Sequence, residues 1–395
     1  MTKCGFKTSL IISLVFSVFL VPLQAKITML ADTLGDLLVI AATDGHVNQV
    51  RMYLALGANP NAHYRRHGYS ITHNSLSAAA CNGHKKIVQV LIEAGADVNA
   101  TCEGNTALIL MAQSYYASVV SENEIVQILL DAGAHIDNQN DYGDTALIYN
   151  CRYNRHETAM LLLAAGANGN LKNSNDYSAL EELCGDLSCY ETNNPDFLVM
   201  WNKTFQALLA AGADVNQTTS NGAETLLTYA AKKNSPIEII SALVKAGANV
   251  NATNSNGDTP LNIATANYAP DIIHLLLDAN ADANIANKHG NTPLMTVYTA
   301  YQSNKYHLDT RPEKLTSLLL TAGARVDTQN EHGHTALMCA AHRFSTIDPA
   351  HCDMVAAFRL LMEAGSDAHL KGKDGQSAMD LIDKAQTIKK VMSLT

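Results

Sequence analysis

The chain has 395 residues, 47% of them hydrophobic and 16% charged, with a formal charge of −10. That acidic balance argues against a general DNA or RNA binder, and no stretch is biased enough in composition to be read as disordered. The length ordinarily means two or three domains, unless short units repeat and bury their apolar faces only against their neighbours.

In chain order the first element is a leader. Lys3 and Lys7 precede an apolar run from Leu10 to Leu23, broken only by Ser13, Ser17 and Pro22, and Leu23-Gln24-Ala25 follows before Lys26. A basic start, a short apolar middle and a small closing residue describe a secretory signal peptide over 1–25. Spanning a bilayer takes about 20 apolar residues, so a retained anchor is the weaker reading. The expectation is a periplasmic or secreted chain, cut after Ala25, with no stable membrane anchor and a short lead-in over 26–33. Seven cysteines then remain, an odd number that leaves at least one thiol free or paired between chains. Two readings of them stand open. Cys184 with Cys189 and Cys339 with Cys352 are the disulfide candidates of an oxidising compartment, or the cysteines are small buried apolar residues.

Beyond the leader the sequence repeats. Tracts of the form Leu-Leu-x-Ala-Gly-Ala-x-x-Asn place helix stops at Gly57, Gly95, Gly133, Gly166, Gly212, Gly247, Gly323 and Gly365, with Asn280 standing in once. Each follows an apolar run, and Gly or Asn there admits the left-handed residue that ends a helix. A second signature, Gly-x-Thr-Pro/Ala-Leu, recurs about twelve residues later, as in Gly104 to Leu108, Gly143 to Leu147, Gly257 to Leu261, Gly290 to Leu294 and Gly333 to Leu337, and in degraded form from Gly375 to Met379. The Thr hydroxyl suits an N-cap, and Pro260 and Pro293 fall at the first helical position, where no N–H is required.

These paired signatures, clearest from Asp144 to Asn168 and from Asp258 to Ala283, resemble the ankyrin-repeat consensus, and the resemblance covers about 34–395. It implies an all-α repeat solenoid: an ankyrin array of about ten helix-turn-helix units with β-hairpin fingers. The units fall at 34–62, 63–100, 101–140, 141–173, 174–218, 219–252, 253–286, 287–329, 330–372 and 373–395. The closing unit carries Lys384, Lys389 and Lys390, suited to an end that faces water. One departure stands out. The family's Thr-Pro-Leu-His tetrapeptide ends in a histidine that hydrogen-bonds between units, and here that place holds Ser77, Ile109, Ile148, Glu181, Thr228, Asn262, Met295, Met338 and Asp380. The polar lattice between units is therefore expected to weaken, leaving apolar packing to carry more.

Some units are longer than others. From the Thr position to the helix stop is 21 residues from Thr145 to Gly166, but 27 from Thr106 to Gly133, 34 from Ser178 to Gly212, 31 from Thr292 to Gly323 and 30 from Thr335 to Gly365. The additions fall between the two helices of those units, as loops that bind something or are simply tolerated. Longer helices are the alternative for Ser114–Asn123. The first hairpin is also extended and holds His63, Tyr64, Arg65, Arg66, His67, Tyr69 and His73, a basic and aromatic cluster that reads either as a contact surface or as a solvated loop.

By position, the resemblance puts the binding face on the hairpin tips and the ends of the inner helices. In this chain those are Glu103 and Asn105; Tyr142, Asp144, Arg152 and Tyr153; Asn221, Lys232 and Lys233; Asn256 and Asp258; His289 and Asn291; His332, His334, His342 and Arg343. The mixed charge fits a protein or peptide partner. The histidines raise two further ideas, a pH-sensitive contact and a metal site, against solvated tip residues as the default. Units stacked roughly 10 Å apart keep neighbouring tips from sharing one ion directly without long side chains, so no metal is expected. The sequons at Asn99, Asn216 and Asn251 share one repeat position and arise from the repeat itself; Asn202 opens a fourth. No phosphate loop or catalytic motif occurs, so neither an enzyme, a cofactor nor a small-molecule ligand is expected. The leading expectation is an exported scaffold for a protein partner. A secreted effector acting on a host-cell protein is the first alternative, and a periplasmic accessory to oxidative or envelope stress acting through its cysteines is the second.

Overall fold

The computed structural model describes residues 33–65, 72–113, 119–185, 195–219, 224–300, 312–346 and 352–383. They divide into two compact units, 1–183 with 203–213 and 184–202 with 214–395. In the first, a helical stretch over 33–43 precedes α1 (Val47–Ala55), an antiparallel pair β1 (His63–Arg65) and β2 (Thr72–Asn74), then α2 (Ser75–Cys81), α3 (Lys85–Glu93), α4 (Ala107–Gln113), α5 (Val119–Asp131), α6 (Ala146–Arg152), α7 (His156–Ala164) and α8 (Ala179–Leu183). Helix α9 (Pro195–Ala210) follows, its residues 203–210 belonging with the first unit. The second unit holds β3 (Thr218–Thr219) paired antiparallel with β4 (Glu224–Thr225), then α10 (Leu226–Lys232), α11 (Ile237–Lys245), α12 (Pro260–Ala266), α13 (Pro270–Asp278), α14 (Pro293–Thr299), α15 (Pro312–Thr321), α16 (Ala336–Thr346) and α17 (Cys352–Glu363).

Helices alternate between two roles. The short inner helices stack on one another, α2 on α4 on α6 on α8 in the first unit and α10 on α12 on α14 on α16 in the second. They are buried on nearly every side: in α6 the six residues Ala146 to Cys151 are all buried. The outer helices form parallel rows, α1–α3–α5–α7 and α11–α13–α15–α17, and bury a single stripe, such as Ile87, Val88, Val90 and Leu91 of α3. Each such side chain withdrawn from water contributes about 2 kcal/mol, so the stack is held by its own interior.

The ends of these helices follow from the two repeated signatures. Thr145, Thr225, Thr259, Thr292 and Thr335 each accept the N–H three residues on, and Pro260 and Pro293 open their helices. All nine stops, Asn280 included, have positive φ. At Gly95 the chain closes a Schellman cap, with Ala96 N–H donating to the Leu91 carbonyl at 2.9 Å.

Two expectations change here. A polar lattice does link neighbouring repeats. Asn99 donates its amide to the Gly133 carbonyl and accepts from His135 N–H; Asn170, Asn216 and Asn284 reach Gly212, Gly247 and Gly323 in the same way. The lattice moved rather than vanished. At the family's histidine position Asn262 bridges to the next repeat through the Asn291 carbonyl at 3.3 Å and Ser77 Oγ lies 4.0 Å from Cys102 Sγ, while Glu181 and Asp380 turn back to cap their own helices. The additions between helices are also partly helical: α5 has 13 residues, α9 has 16 and α17 has 12, against 9 in α7 or α13. The remaining inserted residues, and Lys384, Lys389 and Lys390, lie outside the described residues. No helix among the described residues is long and apolar enough to cross a membrane.

Candidate functional site

Several of the tips are built on one residue type. Asn140 Oδ1 accepts the N–H groups of Tyr142 and Asp144; Asn254, Asn287 and Asn330 hold Asn256 and Asp258, His289 and Asn291, and His332 and His334 in the same way. An Asn carboxamide suits this because it accepts two N–H groups two and four residues on while its amide remains free to donate. That amide reaches the preceding tip: Asn330 donates to Asn291 Oδ1 at 2.9 Å, and Asn287 to Asp258 Oδ1 at 2.8 Å. Backbone bonds join tips as well, Lys288 N–H to Asn256, Glu331 N–H to His289 and Lys373 N–H to His332. Sequence reasoning missed these asparagines, although Asn140, Asn254, Asn287 and Asn330 each stand three residues before a turn glycine and could have been found by that period.

A second regularity decides what each tip presents. The residue before the capping threonine faces the residue seven after it, across the end of the inner helix. Around Thr145 this pair is Asp144 and Arg152, joined by two bonds of 2.8 and 3.0 Å, with Arg152 also reaching Glu182 at 2.6 Å. Burial opposes the guanidinium charge, but the bonds to Glu182 and Asp144 outweigh it and raise the Arg152 pKa. Around Thr225 the pair is Glu224 and Lys232 at 2.6 Å. Around Thr106 it is neutral, Gln113 donating to Asn105 at 3.5 Å. Around Thr335 it is His334 and His342, with no acid at either position.

That last pair opens onto a pocket of about 430 Å³, entirely within the second unit. Its walls are α14 and α16 with two successive tips, and they carry six of the expected binding residues: His289, Asn291, His332, His334, His342 and Arg343. Arg343 is 8% exposed and donates to the Tyr298 carbonyl at 3.1 Å. Glu331 Oε1 sits 3.0 Å from His289 Nδ1 and 3.4 Å from His332 Nε2, so the two tips do share one atom. The tips are joined at this point by the backbone bond from Glu331 N–H to the His289 carbonyl at 3.0 Å, and the long Glu331 side chain makes the crossing to His289. His334 stands 3.9 Å from Asp374 on the following tip, and its ring lies 6.0 Å from that of His332.

The first unit assembles a different surface. Tyr142 is 71% exposed and Tyr153 40%. The Tyr153 ring stacks on Tyr149 at 6.1 Å, with Arg152 5.0 Å above Tyr149. Asp144, at 4% exposure, is turned inward to Arg152 and Asn173. Glu103 and Asn105 flank a tight turn closed between Cys102 and Asn105. In the second unit Lys232 and Lys233 are exposed, the latter 5.8 Å from the Tyr229 ring, while Asn256 is exposed and Asp258 half-buried. Tyr64 and Arg65 lie in β1, paired with His73 and Thr72, without described side chains; Arg66, Tyr69 and Asn221 lie outside the described residues. Of the cysteine candidates, Cys184 is buried, Cys339 is a buried thiol pushed up to about 12 by burial, and Cys189 and the Cys352 side chain lie outside the description. Among the described residues no three His, Cys, Asp or Glu are arranged to hold a metal ion.

Stacked helix pairs with threonine caps, left-handed stops and hydrogen-bonded tips define a helical-repeat protein. Its sequence matches the family described as ankyrin repeats (three copies) over 38–137, 115–191, 197–287 and 227–305. The chain belongs to the ankyrin-repeat family, whose repeats generally mediate protein–protein interaction. No curated protein matches it.

Proposed function

We propose that the chain is a non-enzymatic scaffold, exported and cut after Ala25, that holds a protein partner along its hairpin tips and inner-helix ends. About ten units over 34–395, with β-hairpin fingers, supply the surface. One observation carries this reading: the repeat that exposes Tyr142 and Tyr153 also presents an arginine already fixed by Asp144, Glu182 and the Tyr149 ring. Tyr and Arg are the residue types that dominate binding energy, and rigid ones lose little entropy on contact. Export is supported by the basic and apolar leader of residues 1–25. A role through reactive cysteines is less well supported, since burial pushes Cys81 and Cys339 up to about 12 and a thiol held protonated is a poor nucleophile.

The test is affinity capture from the native source with the purified mature chain, read by quantitative mass spectrometry beside two variants. The pair Tyr142→Ala with Tyr153→Ala removes the aromatic surface, and the pair Lys232→Glu with Lys233→Glu reverses the charge of the second. A genuine partner is retained by the parent chain and depleted about tenfold or more by one of the pairs, as expected when hot-spot contacts are lost. A protein held equally by all three chains overturns the assignment of the face.

A further inference from the structure

Asparagine followed by glycine carries a chemistry of its own. With no Cβ to shield it, glycine presents the least hindered main-chain nitrogen, and that nitrogen can attack the carboxamide carbon of the residue before it. The sequence has such pairs at Asn82, Asn168, Asn221 and Asn256, of which the one at Asn221 lies outside the described residues. Two of the others are held back. Asn82 donates its carboxamide N–H to the Ala78 carbonyl at 2.8 Å. Asn168 Oδ1 accepts Asn170 N–H at 3.0 Å, and Gly169 is buried, with its Cβ position 3.3 Å from Leu208. Asn256 differs from both. It stands exposed at a tip, in the place that Tyr142, His289 and His332 fill in other repeats. Its hydrogen bonds among the described residues are made by main-chain atoms, N–H to Asn254 Oδ1 at 2.9 Å and carbonyl from Lys288 N–H at 2.9 Å, so the carboxamide is left free. The attacking nitrogen is held alike at Asn82 and Asn256: Gly83 N–H donates to Ala80 at 3.0 Å and Gly257 N–H to Asn254 at 2.9 Å. The two sites therefore differ in the carboxamide and its exposure.

We propose that Asn256 is a site of spontaneous deamidation, and that the product unfastens its tip from the next one. The Gly257 nitrogen gives its proton to solvent base and bonds to Asn256 Cγ. The bond from Cγ to Nδ2 breaks, ammonia leaves, and a cyclic imide closes. Water then adds to one of the two imide carbonyls. Cleavage of the bond from nitrogen to Cγ gives aspartate on the original main chain. Cleavage of the bond to the main-chain carbonyl carbon gives isoaspartate, in which the chain runs through Cγ and gains a methylene. Either product adds a negative charge close to Asp258, whose Oδ1 holds the Asn287 amide at 2.8 Å. Isoaspartate does more. The added methylene falls between the N–H groups of residues 256 and 258, which Asn254 Oδ1 holds together at 2.9 Å each. The carbonyl that accepted Lys288 N–H leaves the main chain and becomes a side-group carboxylate. The tip thus loses its internal clamp and its main-chain bond to the following tip by one reaction that needs only water.

The test ages the folded mature chain in mildly alkaline buffer at body temperature. Samples are digested and mapped by mass spectrometry, with fragmentation that tells aspartate from isoaspartate. The peptide holding Asn256 is expected to convert from amide to acid about fivefold faster than those holding Asn82 and Asn168, the factor that one retained hydrogen bond supplies. Hydrogen exchange on the aged chain should show the Lys288 amide losing protection. The Lys373 amide, which makes the corresponding bond to His332, should keep it. Asn256→Gln changes one exposed side chain and lengthens it, so that imide closure is much slower; this variant should age without converting and with Lys288 still protected. Conversion at Asn256 no faster than at Asn82 or Asn168 overturns the site. Loss of Lys288 protection that is equal in the parent and the glutamine variant overturns the unfastening. Both readouts use the chain without a partner, so either failure leaves the scaffold reading untouched.

Discussion

The end of α6 in the first unit and the end of α16 in the second are built to one plan and finished differently. At α6 the acid before the cap, the arginine seven residues after it and Glu182 of the next helix close on one another, leaving tyrosines to face outward. At α16 the same two positions hold histidines, and the space between tips stays open as a pocket. One scaffold position thus serves either as an internal clamp or as an opening, and a single residue pair decides which. The histidines themselves divide along the same line. His156, beside the clamp on α7, is buried against Thr204 at 3.2 Å, and burial lowers its pKa to about 4, while those of the pocket lie at the surface or half-buried.

The largest effect should come from removing the clamp. Arg152→Ala leaves Asp144 and Glu182 without their cation, at a cost of about 4 kcal/mol, the range for stranding a buried ion-pair partner. Hydrogen exchange over α6–α8 measures it, and undiminished protection there would mean that the clamp is decorative. His156 comes next. Its folded pKa lies below the ordinary 6.5, so the unfolded chain binds the extra proton; its contribution is complete above about pH 6.5 and is lost as pH falls toward about 4, amounting to about 3 kcal/mol. Denaturant unfolding as a function of pH should show that slope in the parent and a flatter one in His156→Gln. The smallest effect concerns the spacing of the pocket tips. A Cβ at Gly290 would stand 2.8 Å from Asn330 Cα on the next tip and would also require a left-handed residue. Gly290→Ala should cost about 2 kcal/mol and push His289 away from His332. At the stop Gly323 a Cβ meets open space, so Gly323→Ala carries only the left-handed backbone strain of about 1 kcal/mol. Denaturant unfolding measures both, and equal losses of stability in the two variants would show that the close approach of the tips at Gly290 carries no cost of its own.

Much of this was legible in the sequence because the features involved are local. A capping threonine, a proline at the first helical turn and a left-handed glycine each act within a few residues, so Thr259, Pro260 and Asn280 mark their helix ends unaided. The outward residues followed from the repeat register, which placed Tyr142, Lys232 and the pocket histidines correctly at tips and helix ends. What a one-dimensional pattern does not show is direction. Asp144 and Arg152 are eight residues apart and look like two independent contact residues, yet the turn points them at each other. Glu182, which completes the clamp, belongs to the next inner helix and carries no mark of its role. The asparagine bonds between tips, such as Asn330 to Asn291 and Asn287 to Asp258, join residues about 30 to 40 positions apart and so leave no local mark.

The amides at the opposite rim have a consequence for how such a chain changes over generations. Asn99, Asn170, Asn216 and Asn284 each donate to the stop-glycine carbonyl of the following repeat. At Asp137 and Asp327 the same position lacks an amide and only accepts, from the N–H groups of Asn168 and Asp367, as Asn99 also accepts from His135, so what recurs at fixed places is the accepting oxygen. Losing or duplicating one whole repeat brings an equivalent side-chain oxygen to an equivalent backbone N–H, and the seam closes again. A break inside a repeat leaves one half of a joint with no mate. The chain can therefore grow or shrink by recombination in whole steps, and each step adds or removes one tip, whose facing pair is free to be written as a clamp or as a pocket.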